Sequence, residues 1–246
     1  MLSTLRAIMS WRKQRRRLEK FKAAQDWSRG LGLQETFEAI YRDGKWGRAP
    51  EGQAAFWSGN GSKPEHSAAY EDFVVSFLQR HPDIASLVDI GCGDFRVSGR
   101  ILQRVGRPID YTGCDIVRPL IAHHNETQAT SNRRFMVVNA VEEDPPRGDV
   151  VTIRQILQHL SNAQIAQVLE RARRLYRAAI ITESLPLSCG APNRDIAHGI
   201  ATRVALASGV FVDQAPFDLT VAENFELSHS VNEVLRTSLV WFDNRR

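Results

Sequence analysis

The chain has 246 residues, 43% of them apolar, which suffices for one sizeable core with an extension. No run approaches the ~20 apolar residues of a membrane span, and three scattered cysteines are too few for a disulfide framework. The net charge of +4 is uneven: residues 1–30 carry a net +7 over a remainder at net −3.

The first predicted element is therefore a basic helical extension over 1–30. Arg12, Lys13, Arg15, Arg16, Arg17, Lys20 and Lys22 interleave there with Leu2, Leu5, Ile8, Met9, Trp11, Leu18, Phe21 and Trp27. Met1 to Met9 is too short and mixed for a secretory core. The helix is expected to be solvated or packed on the domain. An anionic membrane surface reached through residues 1–28 is the alternative partner. Nucleic acid is disfavoured, because no stacking or RNA-module motif accompanies the charge.

Residues 31–84 form the next predicted unit. Gln34 to Tyr41 reads as a short helix, with Phe37, Ile40 and Tyr41 on one face. Arg42 to Lys63 is a Gly-, Asn- and Ser-rich loop that carries Trp46, Phe56 and Trp57. Three large aromatics are unusual in an inert linker, and a lid over a pocket is expected, with Trp46, Ser58 and Ser62 in it. Ser62 as cap and Pro64 in the first turn predict a helix that runs to His81-Pro82.

Residues 85–246 are the predicted catalytic domain. Leu87, Val88 and Ile90 read as a buried parallel strand, broken at Gly91 and Gly93. The two glycines allow a sharp turn and a close ligand approach. A helix from Val97 to Val105 completes a strand–turn–helix corner of the nucleotide-binding kind. A dinucleotide fingerprint needs a glycine at the sixth position of the turn, where Arg96 stands. That disfavours a nicotinamide cofactor, and a P-loop is excluded because its Lys and Ser/Thr are missing. A second strand ends at Asp115, 22 residues past Gly93, where an acid in such units accepts from ribose hydroxyls. Further strands are predicted over Phe135–Asn139, Asp149–Arg154 and Ala178–Thr182. The fourth runs into Gln155-Ile156-Leu157-Gln158-His159-Leu160-Ser161. Ser161 to Gln164 is a capping-box pattern that opens a helix with Ile165, Val168, Leu169 and Leu175 on its inner stripe. His123-His124 are placed on a surface helix with no role. Ser184 to Ala215 is long and irregular, as functional loops often are. Leu219–Ser228 and Glu233–Phe242 read as a last pair of strands. Strands alternating with helices predict a doubly wound α/β sheet.

Asp89, Gly91-Cys92-Gly93 and the later acid at Asp115, with Asn139 and the Gln-His-Leu segment, resemble the motifs of the class I S-adenosylmethionine-dependent methyltransferases. The family's third glycine is replaced here by Phe95. The resemblance covers about residues 35 to 245. Ile40 to Gly47, Ser58 to Ser62, Cys92 to Phe95 and Gln158 to Ser161 are similar to a subgroup of small bacterial methyltransferases associated with glycan and polysaccharide modification. The resemblance implies a Rossmann-like, mostly parallel seven-stranded sheet closed by an antiparallel hairpin, and S-adenosyl-L-methionine as cofactor. It implies that Gly91 and Gly93 approach the methionine part, Asp115 holds the ribose and Asn139 faces the adenine. Asp89 fixes the turn or contacts the cofactor through water.

On the acceptor side the sequence offers His159 and Glu183 as candidate general bases. Arg154, Gln155 and Asp195 are candidate substrate contacts, beyond the carboxyl ends of the strands. No metal site is expected, since no Cys/His pair has ligand spacing. A small-molecule or glycan hydroxyl is the expected acceptor. A non-catalytic cofactor-binding scaffold or sensor and a nucleic-acid methyltransferase are the alternatives. A reducing cytoplasm is the expected setting, at its inner membrane face if the basic helix binds lipid.

Overall fold

The computed structural model describes residues 2–49, 55–230 and 233–242, with the side chains of 2–13 and 228–230 outside the description. The predicted apolar face of α1 falls largely on those side chains. Two helices, α1 (Leu2–Trp27) and α2 (Leu33–Arg42), precede the 43–63 segment, which ends in a 3-10 turn, Asn60–Ser62. Then follow α3 (Pro64–Arg80), β1 (Ser86–Ile90), α4 (Arg96–Arg104), β2 (Asp110–Asp115), α5 (Arg118–Thr127), β3 (Arg133–Val137) and β4 (Val150–Arg154). After a 3-10 turn at Leu157–His159 come α6 (Asn162–Leu175), β5 (Ala178–Pro186), a 3-10 turn at Arg203–Leu206, β6 (Val221–Ser230) and β7 (Glu233–Trp241).

The strands make one seven-stranded sheet of order β3-β2-β1-β4-β5-β7-β6. Its first five strands are parallel, and β7 pairs antiparallel with both β5 and β6. This is the Rossmann-like, mostly parallel arrangement with a terminal antiparallel hairpin. The strand order reverses between β1 and β4, so a crevice opens beyond their carboxyl ends.

The central strands β1, β4 and β5 bury both faces, as parallel strands under helices must. Val88, Ile90, Val151 and Ile153 face a core shared with Ile165, Val168, Leu169 and Ala172 of α6. Leu87, Val150 and Ile180 face the other core, with Val74, Phe77 and Leu78 of α3 and Ile101 of α4. The capping box of α6 forms as its sequence requires: Ser161 Oγ accepts from Gln164 N at 3.3 Å, and Gln164 Oε1 accepts from Ser161 N at 2.9 Å.

Three local expectations are corrected. The cap of α3 is Lys63, because Ser62 closes the preceding 3-10 turn. β5 runs on to Pro186, which puts Glu183 and Ser184 inside a strand paired with β7. His124 is buried on α5, and its Nε2–H donates to Gly93 O at 2.7 Å. A predicted surface histidine thus anchors the glycine turn.

The last turn of α1 is docked on the domain. Trp27 packs against the α6-side core and beneath the Lys45 ammonium, 4.8 Å from the ring centre. Gln25 and Ser28 meet residues 197–199.

Candidate functional site

The turn after β1 is set by backbone geometry. Gly91 and Gly93 both adopt positive φ, at 72° and 53°. A Cβ on Gly91 would fall 2.2 Å from Ile156 Cδ1, and one on Gly93 2.4 Å from Ser58 Oγ. Both positions therefore demand glycine for conformation and for space. Phe95, standing where the family has its third glycine, is itself left-handed at φ 62°. Its ring lies 5.3 Å from Tyr111 and 5.0 Å from Phe135, and this aromatic burial offsets the backbone cost.

Two carboxylates hold the corner. Asp89 Oδ2 accepts from Ser98 Oγ at 2.6 Å and Tyr111 OH at 2.9 Å, and Oδ1 accepts from Thr152 Oγ1 at 2.8 Å. Asp89 thereby ties β1 to α4, β2 and β4. Its carboxyl is pushed up by burial, against the three hydroxyl donors. Asp115, at the end of β2, accepts from Gly93 N through Oδ2 and from Val117 N through Oδ1, each at 3.1 Å. Burial raises it to about 6, with those backbone donors opposing.

A cavity of about 360 Å³ lies over these residues, within the range of small-molecule sites. Asp89, Gly91, Gly93, Asp115 and Asn139 all line it, as do Arg154, Gln155, His159, Trp46, Ser58 and Ser62. Tyr41, Ile156 and Gln158 line it too, and the sequence analysis did not single them out for a site. Asn139 Oδ1 accepts from Val141 N at 3.2 Å, which fixes the amide at the end of the segment after β3.

The 55–63 segment of the loop is laid across the glycine turn. Ser58 N donates to Asp94 Oδ2 at 3.1 Å, and Ser58 Oγ accepts from Asp94 N at 2.7 Å. Tyr41 OH lies 2.7 Å from the same Oγ. Arg154 Nη2 donates to Gly61 O at 2.9 Å, and Arg100 Nη2 to Ser62 O at 3.0 Å. The Arg154 guanidinium also lies 5.2 Å over the Tyr70 ring, and its buried Nε has no partner among the described residues. Gln155 sits at φ 56° and donates through Nε2 to Ser184 Oγ at 3.2 Å.

His159 is buried between Phe37 (6.3 Å, edge-on) and Trp46 (5.6 Å). Nδ1–H donates to Gly199 O at 3.0 Å, and the same residue's N–H donates back to His159 O at 3.0 Å. A donating Nδ1 leaves the lone pair on Nε2, which lies 3.5 Å from Gln158 Nε2. Burial, helped by the Arg203 charge, pulls the imidazole down to about 4. It is neutral at neutral pH and acts as a hydrogen-bond acceptor.

This depressed value has a stability consequence. The unfolded chain binds the His159 proton below about 6.5, while the native state resists it to about 4. The contribution is complete above 6.5 and is lost progressively as the pH falls from 6.5 to about 4. From pH 7 to 4.5 it costs about 2–3 kcal/mol. The wild type should lose that much more stability over this interval than His159→Gln, by urea denaturation. Equal losses would refute it.

Two of the expected site residues are corrected. Glu183 does not line the cavity. Its Oε1 accepts from Ile156 N (3.1 Å) and Leu157 N (2.8 Å), and its Oε2 accepts from Gln158 N (3.1 Å). Both oxygens are thus committed to holding a turn. Burial pushes this carboxyl up to about 8, and the three N–H donors keep it from rising further. The turn's carbonyls face Arg203, which is buried: Nη1 donates to Leu157 O and Gln158 O, and Nη2 to Leu160 O at 2.7 Å. Asp195 is exposed and away from the cavity, and its Oδ1 accepts from Asn162 N at 2.7 Å at the start of α6.

Among the described residues no three His, Cys, Asp or Glu side chains gather as for a metal ion. No helix among them is long and apolar enough to cross a membrane.

Residues 88–178 match a family model described as a methyltransferase domain. No curated protein sequence matches the chain. Solved structures share the fold at low identity. The [4+2]-cyclase SpnF is 13% identical over 85% of this chain and 96% of its own, with a TM-score of 0.56. The N-terminal domain of EvdMO1, solved in the presence of SAH and D-fucose, is 12% identical over 79% and 89%, at 0.51. Magnesium protoporphyrin IX methyltransferase (ChlM) from Synechocystis PCC 6803, with bound SAH, is 17% identical over 87% and 97%, at 0.50. The glycine cradle, with no room for a Cβ, and the buried acid beside it suit an adenosyl ligand. Residues 88–178 are thus similar to a methyltransferase domain, and the sheet that carries them has the Rossmann-like fold of these structures.

Proposed function

We propose that the chain is an S-adenosylmethionine-dependent methyltransferase acting on a small-molecule or glycan acceptor through a hydroxyl. The observation that carries this is the Gly91–Gly93 cradle, whose N–H at Gly93 is tied to the Asp115 carboxylate inside the cavity. In this reading Asp115 accepts from the sugar hydroxyls and Asn139 meets the base. The bound cofactor supplies a methyl group already activated on a sulfonium. The protein's task is then alignment, exclusion of water and handling of the acceptor's proton. His159 Nε2 accepts a hydrogen bond from the acceptor hydroxyl and orients it. Phe37, Tyr41 and Trp46 keep that end of the cavity apolar. Arg154 presents a half-buried positive charge to an anionic group of either ligand.

A second reading keeps the cofactor pocket and dispenses with methyl transfer. It is favoured by one observation: the fold is shared with SpnF, a [4+2]-cyclase, and fold does not fix chemistry.

Calorimetry of the full chain with S-adenosylhomocysteine tests the first step. Binding accompanied by a thermal upshift is expected. A folded sample giving neither heat nor upshift would refute both readings. Methyl transfer from a labelled donor to a fractionated small-molecule extract separates them.

A further inference from the structure

We infer that the carboxyl end of α1 and the turn after it are a positioning device for His159, with Gln25 and Ser28 as the positioning residues. The inference rests on the reading of His159 as the acceptor-side group.

The connection is short and continuous. Gln25 clamps the backbone of Ala197 at both polar groups: Nε2 donates to Ala197 O and Oε1 accepts from Ala197 N, each at 3.1 Å. Ser28 is buried, and its hydroxyl donates toward His198 O at 3.3 Å. His198 is held in turn on two sides. Its Nε2–H donates to Leu31 O at 3.1 Å, and its Nδ1 accepts from Gln164 Nε2 at 3.2 Å. The next residue, Gly199, exchanges two hydrogen bonds with His159, and one of them decides which ring nitrogen carries the proton. Segment 197–199 is thus gripped by α1 on one side and by the imidazole on the other.

The fit is tight enough to be specific. Gly199 has φ 151°, a conformation side chains rarely adopt, and a Cβ there would lie 2.5 Å from Ser28 Oγ. α1 therefore approaches the loop at a distance only glycine permits. Without residues 25–31 so placed, the 197–199 backbone keeps its bonds to His159 but loses four hydrogen bonds, two from Gln25 and one each from Ser28 and Leu31, and the packing of Ser28 on Gly199. The cavity's glycine end is built from β1, β2 and the 55–63 segment, and Gln25 and Ser28 do not line it. The two ends should respond separately.

The test uses the full chain labelled with 15N at the histidine ring nitrogens. Long-range 15N–1H correlation spectra report the tautomer of His159, assigned by its loss in His159→Gln. In the wild type the protonated nitrogen should be Nδ1 alone. In Q25A/S28A the signal should shift to a mixture of Nδ1–H and Nε2–H forms, with S-adenosylhomocysteine affinity within about twofold of wild type. Q25E, which retains acceptance from Ala197 N and loses donation to its carbonyl, should lie between. An unchanged tautomer in Q25A/S28A, or an Nε2–H ring in the wild type, would overturn the inference. Loss of homocysteine-ligand binding by the wild type would instead strike the cofactor reading and leave the tautomer result standing.

Discussion

Asp115→Ala should weaken binding of S-adenosylhomocysteine by more than about 100-fold in calorimetry. Hydrogen bonds to a charged group contribute about 1.5–3 kcal/mol each, and a carboxylate facing a sugar diol makes two. Losing them costs about 3 kcal/mol or more, which is that factor in affinity. The substitution also strips the acceptor from Gly93 N and Val117 N, so the cradle itself loosens. Asp115→Asn, which keeps one accepting oxygen, should fall between. The pH dependence has a definite sign. Burial holds the Asp115 carboxyl at about 6, so acidification below that value protonates it and removes an acceptor. Wild-type affinity should therefore decline from pH 7 to pH 5. Asp115→Ala with affinity within threefold of the wild type would take this carboxylate out of the ligand site.

The second large effect concerns folding. Glu183→Ala should destabilise the chain by about 3–5 kcal/mol in urea denaturation. Three N–H groups at 156–158 would lose their acceptor in a buried setting. Unsatisfied buried donors cost about 1–3 kcal/mol each, and the buried Arg203, which donates to the carbonyls of the same turn, would lose the fixed geometry of its acceptors. The turn between Glu183 and Arg203 carries Gln158 and His159 into the cavity, so the loss of packing should also blur that wall. A cost under 1 kcal/mol would show that the turn holds itself without the carboxylate.

The glycine turn and the acid beside it were legible because they are written in contiguous residues. The apolar run into Gly91 and Gly93 and the second strand ending at Asp115 each announce themselves locally. The remaining features depend on contacts that no periodicity encodes. His124 looks like an exposed helix residue until α5 is laid against the glycine turn and its ring meets Gly93 O. Glu183 ends a predicted strand and reads as a free base. In the fold β5 continues past it, and the 156–158 backbone consumes both its oxygens. Arg203 and Asp195 sit in the irregular 184–215 segment, where only tertiary packing distinguishes a buried guanidinium from an exposed carboxylate. Phe95 in a glycine's conformation is readable only once its ring is seen among Tyr111 and Phe135.

The docked end of α1 has a mechanical corollary. A 26-residue helix is about 39 Å long, and the polar contacts named above gather at its carboxyl end. Such a rod is a lever with its fulcrum at Gln25 and Ser28. A tilt of about 10° there sweeps the amino-terminal tip through about 7 Å by the same helix geometry. Read backwards, a restraint on the tip of a few ångströms reaches Gly199 as a displacement of tenths of an ångström, the scale on which an imidazole keeps or loses its hydrogen bond.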